Sequence, residues 1–84
     1  MIRTRGQIIF KILMTCRMEQ NRSHIAEICG LDEYALKRYL DLLIEKNLIK
    51  VYAVRPVLYE TTDKGFEALD RLKVINEFMP GWFK

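Results

Sequence analysis

The chain has only two cysteines and a single histidine, and that scarcity closes off several classes of function. Cys16 and Cys29 do not form a CxxC pair, and His24 has no second ligand type nearby, so no zinc site and no cofactor is expected. Both cysteines sit among apolar residues at helical spacing, which reads as buried free thiols in a reducing compartment rather than a disulfide. No apolar run approaches the ~20 residues that a membrane-spanning helix requires. The first 18 residues, MIRTRGQIIFKILMTCRM, start basic and continue apolar as a signal peptide does, but Gln7 and Lys11 interrupt them and no small-residue cleavage site follows. A structural helix in a cytoplasmic protein is the expectation. Carboxylate pairs, nucleophile–base pairs and glycine-rich phosphate loops are missing too. Glu27 and His24 at helical spacing are too little for a catalytic site, so the chain is not expected to be an enzyme.

What is present is a globular balance. Half of the 84 residues are apolar and 30% are charged, enough for one small domain over 1–84 with a single core. The net charge of +3 is unevenly spread. Residues 1–58 carry ten Lys/Arg against six Asp/Glu, whereas 59–84 carry four against five. The positive field therefore lies with the first two-thirds of the chain, as it would in a protein that faces phosphate.

Periodicity predicts a first helix over 5–18, with Ile9, Ile12, Leu13 and Cys16 on one face. Ser23 is the expected N-cap of a short second helix that turns Ile25, Ala26, Ile28 and Cys29 inward and ends at Gly30. Asp32 caps a third helix over about 32–46. Leu36, Tyr39, Leu40 and Leu43 gather on one side of it; Tyr34, Lys37, Arg38, Asp41 and Glu45 fall on the other. Asn47 tolerates the left-handed conformation that stops such a helix. β-branched and aromatic runs at 48–52 and 57–61 then read as strands, with Pro56 at the hairpin tip. Thr62 and Asp63 cap a last helix over 63–79, which Pro80-Gly81 breaks. The fold class is thus mainly α with a small β-hairpin, in the order α1-α2-α3-β-β-α4. Helix, turn, helix and hairpin in that order make a winged helix-turn-helix, whose second helix-turn-helix member fits the major groove of DNA.

Three segments carry a family resemblance: RTRGQIIFKIL near the start, YLDLLIEKNLI across the third helix and its exit, and YETTDKGFEAL leading into the last helix. Together they resemble archaeal-type winged helix-turn-helix DNA-binding proteins, a group that includes small chromatin-associated dimers and PadR-like regulators. The resemblance implies double-stranded DNA as partner and a homodimer as the working unit. The chain departs from the pattern at Asn47, where the family usually has glycine, and in a short hairpin whose Ala53-Val54-Arg55-Pro56 tip holds one basic residue.

On this reading Tyr34, Lys37 and Arg38 enter the major groove, since arginine and lysine can reach guanine or phosphate and tyrosine a phosphate or thymine methyl. The competing reading is an ordinary solvated face, which Asp41 and Glu45 favour by neutralising it. Arg22 and Ser23 stand where the amides and dipole of the second helix favour an anion, although capping alone would account for Ser23. Arg55 is either a wing contact over the 52–58 hairpin or a solubilising loop residue, and Arg3 and Arg5 either track a phosphate strand or rest in solvent.

Apolar surface is left over. Phe10, Met14 and Met18, spaced four apart, form a second stripe on the first helix; Val74 and Phe78 lie opposite the main stripe of the last helix, and Trp82 follows it. Such patches mark interfaces, so a two-fold dimer built on the first and last helices is expected. The leading function is a DNA-binding transcriptional regulator in the nucleoid. A weakly specific chromatin protein and a winged-helix module that docks another protein are the alternatives. No membrane contact and no small-molecule ligand is expected, as 84 residues leave no obvious room for a ligand-binding domain.

Overall fold

A computed structural model describes residues 4–53 and 55–78, with side chains to residue 74. Four helices and one hairpin follow in the order α1 (Arg5–Thr15), α2 (Arg22–Cys29), α3 (Glu33–Glu45), β1 (Ile49–Tyr52), β2 (Leu58–Thr61) and α4 (Asp63–Phe78). This is the element order expected from the sequence.

The start of α1 is set by a capping box. Thr4 Oγ1 accepts from the Gln7 amide at 3.1 Å, while Gln7 Oε1 accepts from the Thr4 amide at 2.8 Å. The helix ends at Thr15, three residues short of the Met18 end expected from the sequence. Carbonyls near its end are drawn into the sheet: the Cys16 oxygen accepts from the Thr61 amide at 2.8 Å, and the Leu13 oxygen from the Thr61 hydroxyl at 2.7 Å. Beyond that point the chain turns through 16–18, and Gln20 then exchanges both backbone bonds with Tyr59, at 3.0 and 2.8 Å. The polar stretch after α1 thus meets the two-stranded sheet at one isolated bridge, on the side of β2 away from β1.

Asn21, not Ser23, caps α2: its side-chain oxygen accepts from the His24 amide at 2.8 Å, and Ser23 is an exposed residue of the first turn. Because the helix begins earlier than the serine, its hydroxyl cannot reach the orphan amides as an N-cap does. Gly30, at φ 63°, lets the chain reverse, and the Leu31 amide closes the turn on the Ala26 oxygen at 3.0 Å. Ile25 and Cys29 are buried, but Ile28 is 43% exposed, contrary to its expected inward place. It lies about 100° round from Cys29, and α2 is narrow enough to bury one stripe only.

Asp32 caps α3 by accepting from the Ala35 amide at 2.7 Å. Leu36, Leu40 and Leu43 are buried, with Tyr39 packed partly against them. Asn47 takes φ 61° and ends the helix region as expected, directing Leu48 into the hairpin. The strands pair antiparallel from Ile49↔Thr61 to Tyr52↔Leu58. Thr62 begins α4, accepting from the Gly65 amide at 3.0 Å while donating to the Asn47 oxygen at 2.6 Å. One hydroxyl thus joins the end of α3 to the start of α4. The core is Ile12, Leu13, Cys16, Ile25, Cys29, Leu36, Leu40, Leu43, Ile49, Tyr59 and Leu69, drawn from every helix and both strands. This packing presses the inner face of α3 into the domain and leaves its polar face outside.

Candidate nucleic-acid interface

The outer face of α3 carries Tyr34, Lys37, Arg38, Asp41 and Glu45, all exposed. Burial of the 36–40–43 stripe forces this, because a helix that turns three leucines inward at that spacing must turn the residues between them out. Tyr34 is 73% exposed, and the Arg38 guanidinium lies over its ring, 5.9 Å from the centroid. Lys37 is already engaged: its ammonium is 2.7 Å from Asp41 Oδ2 one turn on. Arg22 is engaged as well. Its Nη2 donates to Glu33 Oε2 at 3.2 Å, clamping the start of α2 to the start of α3. Ser23 is exposed next to that clamp and makes no contact that singles it out as a ligand group.

Arg55 lies exposed at the hairpin turn. Sequence reading passed over two other hairpin residues. Lys50 sits over the Tyr52 ring, 4.9 Å from its centroid, and the Tyr52 hydroxyl donates to Glu60 Oε1 at 2.6 Å. The register puts Lys50 directly opposite Glu60. Hydrogen bonding and charge at Tyr52 raise the Lys50 pKa, and Glu60 and Asp63 add to it, so this cation stays charged. Strand alternation was the available signal, since it turns Lys50 away from the buried Ile49. Arg5, at the first turn of α1, shares a groove with Tyr34 and Arg38; Arg3 lies outside the described residues.

The expected apolar stripes divide. Phe10 and Met14 are half-buried and pack against the core with part of their surface. Met18, past the end of α1, is 75% exposed, and on α4 Val74 is 48% and Phe66 39% exposed. The Phe78 side chain and Trp82 lie outside the described residues.

Cys16 and Cys29 are both buried. Burial, and then the neighbouring Cys29, push the Cys16 thiol up to about 12, so it stays protonated. Among the described residues no group of three or more His, Cys, Asp or Glu could hold a metal ion, and no helix is long and apolar enough to cross a membrane.

Comparison with known proteins agrees with the geometry. The fold is similar to that of Sso10a-2, a DNA-binding protein from Sulfolobus solfataricus, with a TM-score of 0.85 at 20% identity over 94% of this chain and 84% of that one. It is also similar to Lactococcus lactis ZitR, with a TM-score of 0.70 at 26% identity over 84% of this chain and 50% of that one. No curated protein matches the sequence. The sequence pattern of the winged helix-turn-helix family matches residues 2–79. That family is non-catalytic, in keeping with the expectation that this chain is no enzyme. On that match, which spans almost the whole chain, and on the element order, the protein belongs to the winged helix-turn-helix family.

Proposed function

We propose that the chain binds double-stranded DNA with little sequence discrimination, α3 entering the major groove and the 52–58 hairpin lying along the flanking backbone. The observation that carries this is the state of the α3 face. It stands clear of the domain, yet Lys37 is paired with Asp41, and Arg22 behind it with Glu33. Arg38 is the one α3 cation in the expected set that holds no carboxylate among the described residues. A single guanidinium with a tyrosine beside it supplies phosphate contact and shape recognition more readily than a base-by-base code. The likeness in fold to Sso10a-2, a DNA-binding protein, supports DNA binding as such. A nucleoid location follows from it.

The working unit we propose is a homodimer. Met18, Phe66 and Val74 are apolar and exposed, and a second copy packed by two-fold symmetry would cover them. Two α3 helices would then sit about 34 Å apart, one turn of DNA.

Selection of bound sequences from a random duplex library tests the function. A diffuse profile, with affinity falling steeply with salt, is the expected result. An enriched palindrome would replace it with a sequence-specific regulator. Absence of binding to any duplex would overturn DNA binding and favour a protein-docking module.

A further inference from the structure

A groove of about 340 Å³ opens between the first turn of α1 and the outer flank of α3, lined by Arg5, Tyr34, Ala35, Arg38, Tyr39 and Leu42. Two arginines and two tyrosines face it, and no carboxylate is among its described lining residues. Elsewhere on this surface the basic side chains that begin α2 and line α3 are matched to acids: Arg22 to Glu33 and Lys37 to Asp41. The capping box at Thr4 and Gln7 fixes the direction of the first turn of α1, which holds Arg5 at the rim. On the opposite wall Tyr34, Arg38 and Leu42 follow one another at four-residue spacing, so they stand in one row along α3.

From this geometry we infer that Arg5 and Arg38 form a two-armed clamp for a phosphodiester of the bound duplex, with Tyr34 at its side. The inference rests on the proposed DNA binding and adds a contact from outside the helix-turn-helix. Two guanidiniums facing one groove repel each other until an anion lies between them, and guanidinium forks match phosphate oxygens well. The apolar surface of Tyr39 and Leu42 suits the sugar that accompanies each phosphate. A duplex seated on Tyr34 and Arg38 carries its backbone past this groove, which makes a DNA phosphate the fitting occupant rather than a free anion.

The test uses the 84-residue chain and fluorescence anisotropy with three unrelated duplexes over a range of salt. Arg5→Ala should weaken binding by about 3–10-fold on every sequence and lower the salt slope by about 1, as loss of one phosphate contact does. Arg5→Lys should recover much of the loss, and Arg17→Ala, beyond the far end of α1, should change nothing. Circular dichroism of each variant must match wild type, and Arg5→Gln repeats the measurement if the alanine form is unfolded. Wild-type affinity and slope in Arg5→Ala, while the wild-type chain binds duplex, would overturn the clamp and leave the proposed function standing. Failure of the wild-type chain to bind any duplex would remove both. Calorimetry with inorganic phosphate adds a final arm: an Arg5-dependent heat from the free anion, with duplex binding indifferent to Arg5, would give the groove to a small anion and overturn the duplex contact.

Discussion

The Lys37 ammonium lies 2.7 Å from the Asp41 carboxylate one turn further along α3, so the helix face nominated for DNA holds an ion pair before any DNA arrives. Both side chains are 62% exposed, and pairs of this kind contribute about 0.5 kcal/mol or less to stability. Asp41→Asn should therefore leave the unfolding midpoint nearly unchanged. It should raise duplex affinity about 2–5-fold at low salt, because it frees a cation and removes a negative charge near phosphate. Anisotropy titrations at two salt concentrations check this; an affinity equal to or below that of wild type counts against α3 as the DNA face.

Arg38→Ala and Lys37→Ala should each weaken DNA binding without unfolding the domain, since both residues lie opposite the buried Leu36, Leu40 and Leu43. For a protein of low specificity the loss should be similar across sequences. A loss of about 1–3 kcal/mol confined to one sequence would instead mark base reading.

Gly65→Ala sets two effects against each other. Alanine is the better helix former by about 1 kcal/mol. A Cβ at this position, however, would collide with the Leu48 carbonyl oxygen and lie 2.5 Å from Thr61 Cγ2. Backbone cannot swing aside as a long side chain does, and overpacking of this sort costs about 1–3 kcal/mol. The collision should win. Urea unfolding is expected to show a net destabilisation of up to about 2 kcal/mol, with the start of α4 forced away from Leu48 and β2.

Cys16 predicts an alkaline weakness. Its thiol is raised from 9.0 to about 12 in the folded chain by burial and then by Cys29. The folded state thus binds a proton that the unfolded state has released between these values. Stability from this group is complete below pH 9 and falls as pH rises toward about 12, at no more than about 1.4 kcal/mol per pH unit. Lysines and tyrosines also titrate there, so the check is a difference: Cys16→Ala should lose stability less steeply from pH 9 to 11 than wild type. Thiol reagents at pH 8 should modify Cys16 only when the chain unfolds.

Assembly is tested on the exposed apolar side chains. Met14 packs against the core, so a charge there would unfold the chain rather than split a dimer, whereas Met18 and Val74 are free of that objection. Met18→Glu with Val74→Glu should give a folded monomer with weaker DNA binding, because two linked half-sites are lost. Sedimentation equilibrium decides it: the wild type should run at about twice its 10.0 kDa chain mass and the double variant at the chain mass.

Much of the fold was legible in the sequence because its signals are local. The leucines of α3 repeat at helical spacing, Asp32 and Thr62 cap the following turns, Gly30 and Asn47 take the left-handed conformations that end helices, and the hairpin alternates around Pro56. Each depends on a few neighbouring residues, so composition and period suffice. What depended on distant partners could not be read that way. The early end of α1, the pairing of Gln20 with Tyr59, and the partial burial of Phe10 and Met14 arise only when β2 and the core pack against α1. The same holds at the interface. The sequence by itself determined that α3 has a polar face bearing Tyr34, Lys37 and Arg38, because helical period alone separates that face from the leucines. Tertiary structure decided which charges on it are engaged, tying Arg22 to Glu33 across two helices and bringing Arg5 from 33 positions away in the chain to the groove beside Arg38. Charge is written in the sequence, but whether a charge is free depends on what the folded chain sets beside it.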